Sequence, residues 1–187
     1  MSDRIPLPRP GQGADKARMD EILRVDHAGE YAAVLIYRAQ RAVFEARKGR
    51  EAITHDLAEM QDQEAVHLAR FERLLNERKV RPTAMTPVWR LAASALGAGT
   101  ALIGEKAAHA CTEAVESVIE QHYADQIAEI GDRDPALAAE LKQFRDEELA
   151  HHDHAIEHGS REAPAYRLLS GVIRAGCRAA IKISEKV

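Results

Sequence analysis

Aromatic side chains make up only 4% of this 187-residue chain, and cysteine occurs twice, at Cys111 and Cys177, outside any Cys-x-x-Cys pair. That cysteine usage excludes a thiolate zinc site and a disulfide framework, and points to a reducing compartment. Long apolar runs are missing too. Leu91–Ile103 carries no charge, but its 13 residues fall short of the roughly 20 that a bilayer-crossing helix needs. No segment alternates apolar and polar residues with a period of two, so strands are not expected. The formal net charge is −4, which argues against a nucleic-acid partner held by phosphate neutralisation. The first residues, MSDRIPLPRPGQG, have neither an apolar signal core nor an Arg/Ser-rich amphipathic helix, so no signal or transit peptide is expected.

What the chain has in quantity is Ala, Leu, Glu and Arg in helical patterns, with 45% hydrophobic and 30% charged residues. Residues 1–13, rich in Pro and Gly, are expected to form a flexible arm, and 14–187 a single domain. The spacing predicts helices over about 14–47, 51–79, 88–130, 135–158 and 165–185. Lys48-Gly49 reads as the first stop, and Asp134-Pro135 as an N-cap with proline at the first helical position. The fold class is all-α. Cys111 and Cys177 read as small core residues.

Two segments of this chain repeat an unusual set of side chains. Glu30, Tyr37 and Gln40 recur at the same offsets as Glu116, Tyr123 and Gln126, and each set is followed by an Asp-x-Glu-x-x-His. The two copies of that motif are Asp62, Glu64, His67 and Asp146, Glu148, His151. About one Glu-x-x-His is expected by chance in this composition, but with Asp two positions earlier the expectation falls to about 0.05, against two found. An internal duplication explains the match, with each half supplying half of a site.

The chemistry follows from the spacing. Residues three apart share a helix face, so Glu64 with His67, and Glu148 with His151, can each hold one metal. Glu30 and Glu116 add carboxylates from facing helices. His152, four residues after Glu148, is within reach as well; His151 reproduces the spacing of His67. Four carboxylates and two imidazoles suit iron or manganese and balance two divalent ions. This is the ligand set of ferritin-like di-iron and di-manganese proteins. Gln63 and Glu147 face the same interior and can orient the second nitrogen of a histidine. Tyr37 and Tyr123 read first as core side chains.

Leu91–Ile103, beside Trp89 and Arg90, reads either as a closely packed helix end or as a segment dipping into a membrane surface. The last helix sets Leu168, Leu169, Val172, Ile173, Ile181 and Ile183 against Arg167, Arg174, Arg178 and Lys182, and invites the same two readings, its basic face suiting anionic lipid.

Five segments resemble the demethoxyubiquinone hydroxylase family. They are RVDHAGEYAAVLIYRAQ from Arg24, DQEAVHLARF from Asp62, GEKAAHACTEAVESVIEQHY from Gly104, FRDEELAHHD from Phe144 and APAYRLLSGVIRAGCRAAI from Ala163. The resemblance implies a ferritin-like four-helix bundle with additional short or C-terminal membrane-associating helices. It implies two iron ions on Glu30, Glu64, His67, Glu116, Glu148 and His151, and places His122 and Tyr123 near the metals, beside them or in an electron relay. The implied activity is monooxygenation: one atom of O2 enters the ring of a demethoxy polyprenyl benzoquinol in ubiquinone biosynthesis and the other leaves as water, with NADH as electron donor. A polyprenyl substrate implies a peripheral protein on the cytoplasmic side of the cell membrane, with other ubiquinone-biosynthesis proteins as partners and no nucleic acid. Rival readings are an iron-storing or peroxide-reducing ferritin-like protein, a tRNA-modifying di-iron hydroxylase, disfavoured by the acidic charge, and a metal-free helical scaffold.

Overall fold

The computed structural model describes residues 12–187. Among these residues six α-helices follow one another: α1 (Gln12–Glu45), α2 (Glu51–Arg78), α3 (Thr86–Ile103), α4 (Glu105–Ile130), α5 (Pro135–Glu157) and α6 (Tyr166–Ser184), with a 3-10 turn at Ser160–Glu162 between the last two. Among the described residues there is no strand. The arm expected over residues 1–13 lies outside the described residues apart from its last two, which begin α1.

Several helix boundaries follow local chemistry. Lys79, left-handed at φ 56°, closes α2 by donating its N–H to the carbonyls at its end. The Asp134 side chain accepts from the Leu137 N–H at the start of α5, with Pro135 in the first turn. The single long helix expected from about Val88 to Ile130 is instead two. Gly104, at φ 145°, breaks it, in a conformation that side chains with a Cβ rarely adopt. Its carbonyl accepts from Ala107 and Ala108, starting α4 afresh.

That break makes the duplication complete. α1 and α2 pair as one hairpin and α4 and α5 as another, while α3 packs on α1 and α6 packs on α4. Each half is therefore a hairpin plus a third helix laid against its first, and α1, α2, α4 and α5 form the four-helix bundle. α3 approaches α1 closely because residue 97 is glycine: a Cβ there would lie 2.4 Å from the Ile36 carbonyl oxygen.

Two apolar layers fill the bundle. One holds Leu23, Phe71, Tyr123, Ile130, Leu141 and Phe144, the other Tyr37, Phe44, Ile53, Leu57 and Met60. Along every bundle helix the site residues fall beside or between these layers, so the polar cluster is sealed within the apolar interior.

Candidate metal centre

α1 contributes Glu30, α2 Glu64 and His67, α4 Glu116, and α5 Glu148 and His151. The structure brings all six together, and none is more than 4% exposed. Their donor atoms fall into two groups, Glu30–Glu64–His67–Glu148 and Glu64–Glu116–Glu148–His151, the members of each lying within 4.8 Å of one another. Glu64 and Glu148 belong to both groups. Two central carboxylates therefore face both groups, with one glutamate and one histidine at each end.

Both imidazoles turn Nδ1 inward. His67 Nδ1 lies 3.2 Å from Glu148, 3.5 Å from Glu30 and 3.8 Å from Glu64. His151 Nδ1 lies 3.0 Å from Glu64 and 3.5 Å from Glu148. Each Nε2 is held from the opposite half of the repeat: His67 by Glu147 at 2.5 Å, His151 by Gln63 at 2.6 Å. Gln63 and Glu147 thus orient histidines as the sequence suggested, but crosswise between α2 and α5. Pinning the outer nitrogen fixes the tautomer and aims the inner lone pair.

The tyrosines cross over likewise. Tyr37 donates to Glu116 at 2.6 Å, and Tyr123 donates to Glu30. They are core side chains, as expected, but each also occupies one oxygen of a lone glutamate. His122 stands to the side, 18% exposed, 3.6 Å from the buried Asp26 and 2.9 Å from Gln126. His152 pairs with Asp153 at the surface, leaving the inner position to His151. Asp62 and Asp146, repeated in the sequence, are exposed. Asp26 escaped the sequence reading because the equivalent position of the second half is Thr112, so no repeat flags it.

The electrostatics call for a cation. Glu30 Oε2, both oxygens of Glu64, His67 Nδ1, Glu116 Oε2, both oxygens of Glu148 and His151 Nδ1 are buried and lack any hydrogen-bond partner. Leaving even one such group unsatisfied costs about 1–3 kcal/mol. Burial, then repulsion from Glu148, raises Glu30, Glu64 and Glu116 above the ordinary carboxylate range, Glu64 and Glu116 most strongly. At Glu30 the neighbouring His67 imidazole partly offsets this. For Glu148 burial is outweighed by the adjoining His151 and His67 imidazoles, which hold it near 2. These eight orphaned atoms converge on the space between the two donor groups, so the cluster can hold a metal.

A cavity of about 370 Å³ lies against two of these helices, α1 and α4. α1, α3, α4 and α6 wall it with apolar side chains, among them Trp89, Leu96, Val118, Ile173 and Cys177. Gly29 and Ala33, which flank Glu30, and Val115, which adjoins Glu116, form part of the wall. Cys111 is fully buried, as expected of a core residue, whereas Cys177 faces this cavity. Around the cavity, Val88, Leu91, Leu168 and Val172 expose large apolar side chains. Arg167, Arg178 and Lys182 are exposed on α6, but Arg174 turns inward to Ser117 and toward Glu113, so the basic face is narrower than the sequence suggested. No helix among the described residues is long and apolar enough to cross a membrane.

The family model described as "Ubiquinone biosynthesis protein COQ7" matches residues 17–184. A "3-demethoxyubiquinol 3-hydroxylase" of Rhodospirillum rubrum is 48% identical over 178 residues, covering 95% of this chain and 82% of the relative. The mouse "NADPH-dependent 3-demethoxyubiquinone 3-hydroxylase, mitochondrial" is 49% identical over 176 residues, 92% of this chain and 79% of the relative. The "5-demethoxyubiquinone hydroxylase, mitochondrial" of Saccharomyces cerevisiae is 40% identical over 189 residues, 93% of this chain and 80% of the relative.

The raised carboxyl values carry a pH dependence. A group whose folded-state value exceeds its unfolded one favours folding fully below the unfolded value, here 4.5, and less as pH rises toward the folded value. Glu116→Gln removes one such group while keeping an acceptor for Tyr37. Thermal unfolding with a chelator should show the variant gaining on wild type between about pH 4.5 and 7. With Fe(II) or Mn(II) added, wild type should become the more stable of the two. A variant that tracks wild type at every pH, with and without metal, contradicts this reading.

Proposed function

The chain belongs to the COQ7 family of ubiquinone biosynthesis, and from that membership we infer that it is a demethoxyubiquinone hydroxylase, an oxidoreductase that introduces a hydroxyl group into the ring of a demethoxy polyprenyl benzoquinol. We propose a pair of iron ions as its metal. Glu30 and His67 would hold one ion and Glu116 and His151 the other, with Glu64 and Glu148 within reach of both. When bound, the irons activate O2 for insertion of one oxygen atom into the ring.

The side chains do the rest. Glu147 and Gln63 keep the histidine lone pairs aimed inward through their bonds to Nε2. Tyr37 and Tyr123 each tie down one oxygen of Glu116 and Glu30, so that the free oxygen points at the metal. The two apolar layers keep bulk water from the oxidising centre. The apolar cavity accepts the substrate ring next to Gly29, Ala33 and Val115, and its volume lies within the range of small-molecule sites. This cavity, sharing α1 and α4 with the carboxylates, is the observation that favours an organic substrate over iron storage.

We further propose that the protein binds the membrane surface peripherally through α3 and α6. Leu91 is 74% exposed, Leu168 69% and Val172 63%, beside the exposed cations Arg90, Arg167, Arg178 and Lys182. An apolar face with flanking basic residues suits an anionic lipid interface, and it would open the cavity toward a substrate dissolved in the bilayer. The names of the mammalian relatives specify NADPH, whereas the resemblance implies NADH; a reduced nicotinamide is common to both.

Iron-loaded protein with a demethoxyquinone analogue and ¹⁸O2 should yield quinone carrying one labelled oxygen, driven by NADPH or NADH. Glu116→Ala should abolish the label. No labelled product from protein verified to hold iron and supplied with a chemically reduced quinol would overturn the hydroxylase reading. For the membrane proposal, wild type should float with vesicles containing anionic lipid and be released by high salt, and Leu168→Glu with Leu91→Glu should weaken flotation at least tenfold. Equal flotation of wild type and the double variant would refute it.

A further inference from the structure

Two glycines in helix interiors line the apolar cavity, Gly29 on α1 and Gly176 on α6. A glycine inside a helix is less stable than an alanine there, so its presence calls for a reason. At two other positions of this chain the reason is visible. Gly97 lets α3 meet α1, where a Cβ would lie 2.4 Å from the Ile36 carbonyl oxygen, and Gly104 holds a φ of 145°. Gly29 and Gly176 have neither reason. Both lie outside the positive-φ residues, and a Cβ on either would meet no neighbouring atom within 4 Å.

We propose that Gly29 and Gly176 are specificity-determining residues of the cavity: the side chains they lack leave the room in which a substituted benzoquinone ring enters past α6 and lies beside Glu30. The inference rests on the proposal that this cavity takes the quinone ring.

Helix geometry directs the missing side chains into that space. Residues three and four apart share a helix face. Around Gly29 those neighbours include Val25, Ala32 and Ala33, and around Gly176 they include Val172, Ile173 and Ala180; all six line the cavity. A side chain at either position would therefore project into the cavity and not against a packed helix. The two differ in depth. Gly29 is half-buried and directly precedes Glu30, whereas Gly176 is exposed and marks the mouth. The wall is almost wholly apolar, so it selects a ring by size and not by hydrogen bonds. Gly99 on α3 is equally free of neighbours, but it is exposed and outside the cavity wall, which makes it the control.

Trp89, the only tryptophan of the chain, stands on the same wall, so its fluorescence reports occupancy without turnover. The test titrates the full iron-loaded chain with tetramethylbenzoquinone, a tail-free ring with no open carbon for thiol addition, and follows quenching of Trp89. Wild type should show saturable quenching. Gly29→Ala should raise the melting temperature by about 2–4 °C yet weaken quinone binding about tenfold. Gly29→Leu should abolish binding and Gly176→Leu weaken it at least tenfold, with iron content unchanged in every variant. Gly99→Ala should gain the same stability and keep the wild-type affinity. Wild-type affinity in Gly29→Leu or in Gly176→Leu would overturn the proposal for that position. A lower melting temperature in Gly29→Ala would show that this glycine serves packing and would overturn its part as well. Wild type that holds iron but shows no saturable quenching would refute the cavity as the quinone site, and this proposal with it.

Discussion

Four carboxylates buried between two apolar layers are the constraint on which this structure turns. Removing even one ionised carboxylate from water costs several kcal/mol unless a counter-charge meets it, and here Glu30, Glu64, Glu116 and Glu148 share one small volume with only two imidazoles. The protein's own groups partly compensate. The imidazoles keep Glu148 low, and the tyrosine hydroxyls each satisfy one oxygen of Glu30 and Glu116. Eight donor atoms remain without partners, and two divalent cations would meet them.

The duplicated architecture solves the problem of aiming those groups. Each half donates the groups that orient the other half's ligands: Gln63 serves His151, Glu147 serves His67, Tyr37 serves Glu116 and Tyr123 serves Glu30. The centre is therefore assembled only when both hairpins meet, which couples metal binding to packing of the bundle. α3 and α6 occupy matching places in the two halves, and between them lies the apolar cavity that shares α1 and α4 with the centre.

Much of this was legible in the sequence because duplication writes the same chemistry twice. The six clustered residues, the all-α class and most helix ends follow from spacing and caps. What was not legible depends on which helix lies beside which. The crosswise pairing of Gln63 and Glu147 needs the α2–α5 neighbourhood, and Asp26 lacks a copy in the second half. The break at Gly104 was hidden because a glycine inside an Ala-rich helical pattern is ordinarily tolerated, and only its φ of 145° shows that the chain turns there. Repetition also misleads: Asp62 and Asp146 recur in register yet face solvent.

The claim at the centre of this account is that Glu64 and Glu148 are shared between two metals and do not serve separate ones. Mössbauer spectroscopy of protein loaded with enriched iron and oxidised tests that sharing most directly. The account predicts two irons per chain that are magnetically coupled, with the coupling lost in Glu148→Ala. Two magnetically isolated irons, or a single iron per chain in fully loaded wild type, would contradict it.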